Sequence, residues 1–221
     1  MSSNDVARDY KNSLYLELSK IGKGVSSDKR LEILDLLAQC SKSVDVLARE
    51  SGMSVANTSR HLKVLREAHL VSCSKDGNFV VYSLASDEVE RLFYLLRDVG
   101  EQQLSNMRVI QRDLDSSEAV RSLDLSTASK LIERDDVVLL DVRPVEEFSA
   151  GHIPGAVNIP MDSLVDEVDS LDADKDVIVY CRGHLCALTN QATKLLNERG
   201  HNAYSLNESY FDWRQFVGQG I

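Results

Sequence analysis

The sequence has no apolar run long enough to cross a bilayer, and its opening residues, MSSNDVARDYKN, lack the apolar core of a secretory signal. Both absences point to a cytoplasmic protein that does not enter a membrane. Cysteine is scarce. Four residues, Cys40, Cys73, Cys181 and Cys186, cannot staple a chain of 221 residues, and in a reducing compartment they are free, reactive or ligating. There is no internal repeat and no low-complexity segment. A composition of 43% hydrophobic and 27% charged residues excludes a disordered chain. Basic charge is also short, 25 Lys and Arg against 35 Asp and Glu, which at first argues against a nucleic-acid partner. The imbalance is uneven, however. Residues 1–118 carry 16 basic and 18 acidic side chains, and residues 119–221 carry 9 and 17. DNA binding needs a local basic surface rather than a basic total, so the first part remains compatible with it.

Two rhythms divide the chain. Up to about residue 115 the pattern is helical, with one hairpin; beyond about residue 124 short apolar strands alternate with helices. The polar stretch at 116–123 reads as the linker. In the first part, helices are expected at Tyr10–Ile21, with Leu14, Leu18 and Ile21 on one face, and at Lys29–Gln39, capped by Ser26-Ser27-Asp28. A short helix, Val44–Glu50, a tight turn at Ser51-Gly52-Met53 and a helix capped by Ser54 have helix-turn-helix spacing. Leu70–Ser74 and Phe79–Leu84 flank an Asp-Gly turn, a strong hairpin signal. Glu88–Asp113 reads as one long amphipathic helix with Val89, Leu92, Leu96, Val99, Met107 and Ile110 near one stripe. This order is that of a winged helix whose terminal helices can pair two subunits.

On the helix after Ser54, Val55, Leu62 and Leu65 are expected to pack inward. Asn57, Thr58, Ser59, Arg60, His61 and Lys63 form the polar side that can enter a major groove, with Ser54 at its start. Lys63, Lys75 and Asn78 are candidates for phosphate contacts, which position a protein without reading sequence. The segment SVANTSRHLKVLREAHLV at 54–71, followed by the strand end YSLA, resembles the ArsR family of winged-helix repressors over about residues 10–112. The resemblance implies a homodimer that binds a double-stranded DNA operator. Where the family often has Gly after the recognition helix this chain has His69, which tolerates positive φ less well, so a different local turn is expected. Metal-binding relatives use cysteines in the first helix of the motif or His and acidic residues on the last helix. Neither Val44–Glu50 nor the last helix has the Cys or His required, and no metal or cofactor is expected. Cys40 and Cys73 stand either as a redox pair or as two unrelated small residues.

The second part reads as strands Val137–Asp141, Val157–Ile159, Val177–Tyr180 and Ala203–Leu206. They alternate with helices Val145–Ser149, Ser163–Leu171, Cys186–Arg199 and Tyr210–Val217. That alternation implies an α/β domain with a mostly parallel sheet. Chemistry in such sheets lies at the carboxyl ends of strands, and Cys181 follows one directly. Backbone N–H groups of residues 182–186 can turn inward as an anion cradle that favours a thiolate, with Arg182 adding positive charge and Gly183, His184 and Leu185 completing the loop. The stretches DVRPVEEFSAGHIPGAVNIP at 141–160 and VIVYCRGHLC at 177–186 resemble the rhodanese family over about residues 124–221. The resemblance implies that Cys181 is a nucleophile that takes up sulfane sulfur as a persulfide. Asp141 and Arg143 would brace the loop. Many rhodaneses carry Arg five residues after the cysteine; here that position is Cys186, a candidate resolving thiol. The related phosphatases need Arg six residues after the cysteine, where this chain has Ala187, which argues against phosphate transfer.

These features define a two-domain chain: a winged helix at 1–115, a linker at 116–123 and a rhodanese-like domain at 124–221. The leading expectation is a DNA-binding regulator, a repressor, responsive to sulfane sulfur or thiol oxidation, with a sulfane sulfur donor or a small thiol as its small-molecule partner. One alternative is a sulfurtransferase whose winged helix serves dimerisation or targeting. Another is a regulator that uses a catalytically inert rhodanese fold to bind a partner.

Overall fold

The computed structural model describes residues 3–77, 79–115 and 120–218, arranged as two units, Met1–Gly100 and Glu101–Ile221. In the first, α1 (Ser3–Val25) precedes α2 (Asp28–Gln39), the two-residue strand β1 (Lys42–Ser43), α3 (Val44–Glu50) and α4 (Val55–Glu67). The hairpin β2 (Val71–Asp76) and β3 (Phe79–Leu84) follows, then α5 (Asp87–Gln103), which runs on into the second unit. The sheet is antiparallel in the order β1-β3-β2, with Lys42 and Cys73 both opposite Tyr82. Ser43 and Ser54 cap α3 and α4 by accepting from the N–H groups of Val46 and Asn57. Ile33, Leu34, Leu47, Leu62, Leu65 and Leu70 form a buried core beneath the helix-turn-helix.

Three expectations for this unit need correction. Val55 is 48% exposed, and Thr58 is fully buried with its hydroxyl satisfied within the helix, donating to the Ser54 carbonyl at 3.1 Å. Thr58 is therefore unavailable to DNA. His69 does adopt the left-handed turn, at φ +56°. The turn is closed by His69 N–H donating to Arg66 O at 3.0 Å and Leu70 N–H to Leu65 O at 2.9 Å. The expected single last helix is two. It breaks at Leu104, after which α6 (Ser105–Asp115) begins, and the Arg108 guanidinium donates to the end carbonyls of α5, Glu101 O and Gln102 O. An apolar stripe continuing across residue 104 could not reveal this break.

The second unit holds five strands, all parallel, in the order β4-β8-β7-β5-β6. In chain order they and their helices are β4 (Ser122–Leu123), α7 (Leu125–Ile132), β5 (Val137–Asp141), α8 (Val145–Ala150), β6 (Val157–Asn158), α9 (Leu164–Glu167) with a 3-10 turn at Val168–Ser170, β7 (Asp176–Tyr180), α10 (Leu188–Glu198), β8 (Asn202–Leu206) and α11 (Tyr210–Gly218). The expected helix Ser163–Leu171 is thus a single α turn and a 3-10 turn. The edge strand β4 lies within the stretch expected as linker. Strands β5 and β7 are nearly continuous apolar runs because both sheet faces are covered. One face packs Leu140, Val177, Val179, Ala192 and Leu196; the other packs Leu139, Ile178, Tyr180 and Ala128. From β5 the chain steps outward to β6, and from β7 it steps the other way to β8. The carboxyl ends of β5 and β7 therefore flank the point where connections diverge, where α/β sheets build sites. No described helix is long and apolar enough to cross a membrane.

Candidate functional site

The central strand β7 delivers Cys181 to that point, and the loop 181–187 runs from it to the start of α10. Gly183 holds φ +100°. A Cβ there would also meet the backbone N and the Cβ of Ser209 at 3.0 Å, so glycine is needed on both counts. Cys181 is 1% exposed and Cys186 half-buried, and their sulfurs lie 3.3 Å apart. At that distance the pair shares a proton, and either sulfur can accept from the other. The Cys186 thiol is lowered to about 6 by the hydrogen bond from Cys181 and, secondarily, by the Leu188 N–H and the charge and N–H of Arg182. Cys181 is pushed well above the ordinary thiol range by the bond to Cys186, by burial and by charge on Cys186. The two sulfurs titrate as one coupled pair, the buried Cys181 raised and the less buried Cys186 lowered. The expected cradle is partial. Amides of Arg182 and Leu188 face sulfur, but the Cys186 N–H is taken by Gly183 O at 2.9 Å.

Arg182 does not project into the loop mouth. Its Nε donates to Glu147 Oε2 at 2.9 Å and its Nη2 to Oε1 at 2.5 Å, and the Glu147 side chain is fully buried. Beneath it, Arg143 and Asp141 form a second buried pair. Nη2 donates to Oδ2 at 2.7 Å, the Arg143 backbone N–H to Oδ1 at 2.9 Å, and Nη2 also reaches Gly151 O at 2.7 Å. Tyr180 accepts from the Ile153 N–H at 3.1 Å, tying the GHIP turn to β7, and His152 stacks on Phe148 at 3.8 Å. Asp141 and Arg143 are thus braces of the turns around the loop.

His184 is held from two sides. Nδ1 lies 3.2 Å from Glu101 and Nε2 2.9 Å from Glu208, and these carboxylates raise the imidazolium to about 10. Gln111 on α6 also donates to Glu101 at 2.9 Å. Two adjoining cavities, about 430 and 550 Å3, share Gln111, His184 and Cys186 in their walls, and Leu185 lines the larger. Sequence reasoning assigned no role to Glu101, Glu147 or Glu208. Two signals were present: Glu147 lies within the DVRPVEEF stretch, and Glu208 within the Asn207-Glu208-Ser209 segment. There Ser209 caps α11, its N–H and hydroxyl donating to Asp212 Oδ2 at 2.9 and 2.6 Å.

On α4, Asn57, Ser59, Arg60 and Lys63 are exposed, His61 is half-buried, and Ser54 is exposed at the cap. Lys75 is exposed on β2, and Asn78 lies outside the described residues. Cys40 and Cys73 are not brought together. Cys73 lies in β2 beside Arg66, and Cys40 precedes β1 on the far side of β3. Two strand spacings amount to roughly 9–10 Å, beyond the Cα reach of a disulfide.

A winged helix-turn-helix followed by a parallel α/β domain with a cysteine loop at its switch point defines the class of the chain. Residues 27–72 match the bacterial regulatory protein arsR family and residues 124–216 the rhodanese-like domain. The HTH-type transcriptional regulator Rv0324 of Mycobacterium tuberculosis is 35% identical over 93% of this chain and 91% of its own length. A sulfurtransferase of Allochromatium vinosum is 33% identical over 34% of this chain and 69% of that protein. Among solved structures, the homodimeric winged helix-turn-helix DNA-binding domain Mb0332 of Mycobacterium bovis is 34% identical, covering 44% of this chain and 91% of that one, with a TM-score of 0.43. The chain belongs to the ArsR family of DNA-binding transcriptional regulators and carries a C-terminal rhodanese-like domain.

Proposed function

We propose that this regulator is a homodimeric repressor whose affinity for its operator is set by sulfane sulfur or oxidation at the Cys181–Cys186 pair. The observation that carries the proposal is two thiols 3.3 Å apart in the switch-point loop of a chain that also bears an ArsR helix-turn-helix. Exposed Asn57, Ser59, Arg60 and Lys63 supply polar and basic groups for groove and phosphates. Leu14 and Leu18, one turn apart on α1, are 53% and 63% exposed, and Leu95 and Val99, one turn apart on α5, 61% and 46%. Apolar faces of that extent call for a partner, and a second copy supplies it. His184 has a carboxylate partner, Glu101, in the last turn of α5, so a change in the loop reaches that helix within the second unit itself.

The test is operator binding by reduced protein before and after a polysulfide, with intact mass recorded on the same samples. The expected result is a mass gain or loss of two thiols accompanied by at least a tenfold change in Kd, a coupling of about 1.4 kcal/mol. Sulfur uptake with unchanged affinity refutes the coupling.

A further inference from the structure

We infer that Cys186 is a covalent modification site for a small uncharged α,β-unsaturated carbonyl compound, which adds to it from the cavities beside α6. This chemistry is separate from sulfur transfer, in which the strand-end Cys181 keeps its place. Cys186 stands in the walls of both cavities, whereas Cys181 stands in neither and is 1% exposed. A molecule entering from solvent therefore meets Cys186 Sγ, 3.3 Å from that of Cys181. The lowered titration of Cys186, about 6, supplies a nucleophilic sulfur there at neutral pH.

The walls match an uncharged carbon electrophile. Met107, Ile110, Leu185 and Ala187 give the larger cavity an apolar side for its hydrocarbon part. Gln111 and His184 stand with Cys186 in both cavities. An amide NH2 has two N–H groups; Glu101 takes one of Gln111's at 2.9 Å, and the other can donate to an incoming carbonyl oxygen. Such a bond stabilises the negative charge that develops on that oxygen during attack. No Lys or Arg lines either cavity among the described residues, whereas Asp113, Asp124 and Glu208 do. The His184 charge is matched by Glu101 and Glu208, so an electrophile bearing a carboxylate meets unfavourable charge.

The step needs no oxidant or reductant. The Cys186 thiolate attacks the β-carbon; an S–C bond forms, the C=C π bond breaks, and its electron pair moves to the carbonyl oxygen as an enolate. The enolate takes a proton from water at the α-carbon, leaving hydroxide in place of the thiolate charge. No group leaves, and the net change is addition of S–H across C=C. A Cys186 that carries carbon cannot close onto Cys181, so the addition is an input distinct from disulfide formation.

The experiment treats full-length reduced protein at mildly acidic pH with substoichiometric N-ethylmaleimide, an uncharged α,β-unsaturated imide. A parallel sample receives N-carboxymethylmaleimide, its anionic counterpart, and both are read by peptide mass. Exposed Cys73 is the internal standard. The excess of thiolate over an ordinary exposed thiol, less the weaker nucleophilicity of a more acidic sulfur, sets the expected preference of the neutral reagent for Cys186 over Cys73 at roughly tenfold. The anionic reagent should lose most of that preference. Ile110→Lys changes a side chain that is 70% exposed and so spares the core. It should raise the anionic-to-neutral rate ratio at Cys186 by about threefold or more and leave that ratio unchanged at Cys73. Modification of Cys73 before Cys186 overturns the site. Equal preference from both reagents, or a ratio unmoved in Ile110→Lys, overturns the uncharged class. The sulfur-responsive role stands in each case, because sulfur uptake is measured separately with polysulfide.

Discussion

Replacing Arg143 by Met tests whether the buried pair beneath the cysteine loop holds the second unit together. Arg143 is 1% exposed and Asp141 fully buried, so the substitution strands a carboxylate whose guanidinium donors came from Nε and Nη2. It also removes the bond from Nη2 to Gly151 O. Leaving one member of such a pair buried alone costs about 3–5 kcal/mol. That is a large part of the total stability of an ordinary domain, about 5–15 kcal/mol. With a urea slope of about 2 kcal/mol/M, the midpoint should fall by about 2 M. Trp213 is the chain's single tryptophan and lies on α11, so its fluorescence follows this unit and avoids treating the two units as one transition.

The second arm is Asp141→Asn in the Arg143→Met background. The amide oxygen still accepts from the residue 143 N–H but carries no charge to desolvate. The double variant should therefore be more stable than Arg143→Met alone, although Asp141→Asn by itself destabilises. If Arg143→Met costs under 1 kcal/mol, or if the two effects add to within about 0.5 kcal/mol, the pair is not the coupled buried unit described here.

Three further outcomes follow from individual residues. His184 in the folded chain titrates at about 10, above its unfolded value of about 6.5, so its stabilisation is complete below about pH 6.5 and is lost as pH rises through about 10. His184→Gln should flatten the fall in Trp213-monitored stability over that window, and an unchanged slope contradicts the pairing. The rate of Cys186 alkylation should rise with a midpoint near pH 6 and move up toward the ordinary thiol range in Cys181→Ser, measured by peptide mass. His69→Gly should stabilise the helix-turn-helix by about 1 kcal/mol by relieving a positive φ, slowing exchange of the buried Leu62 and Leu65 amides about fivefold; faster exchange would show that the His69 side chain contributes more than the turn costs.

The parallel strands were legible because Val137–Asp141 and Val177–Tyr180 are short runs bounded by polar turns, and burial on both faces needs nothing else. The two-residue strands β1 and β4 were not, since Lys42-Ser43 and Ser122-Leu123 carry no period and exist only through pairing with distant β3 and β8. The face of α4 was misjudged at Val55 and Thr58 because threonine can bury a methyl once its hydroxyl is satisfied within the helix. The thiol spacing of the loop was visible, but the pairing of its two cations was not. Arg182 and His184 are matched by Glu147, Glu101 and Glu208, which are 35, 83 and 24 residues away from their partners in sequence.

The matched charges also determine what oxidation must disturb. Arg182 cannot swing toward the loop mouth without abandoning the fully buried Glu147, which would cost several kcal/mol, so that side of the loop stays fixed. The sulfurs, by contrast, must close from 3.3 Å to the bonding distance of about 2 Å, and the less buried Cys186 is the one able to move. Its N–H is bonded to Gly183 O, so motion of Cys186 is passed to the turn that carries His184. The His184 contacts to Glu101 and Glu208, at 3.2 and 2.9 Å, tolerate little displacement before the hydrogen bonds weaken. Oxidation should therefore lower the His184 titration from about 10 toward its ordinary value, a change read directly from imidazole NMR shifts of reduced and oxidised protein. If His184 titrates identically in both forms, the disulfide closes without moving the loop, and the route from the thiols to α5 through Glu101 does not exist.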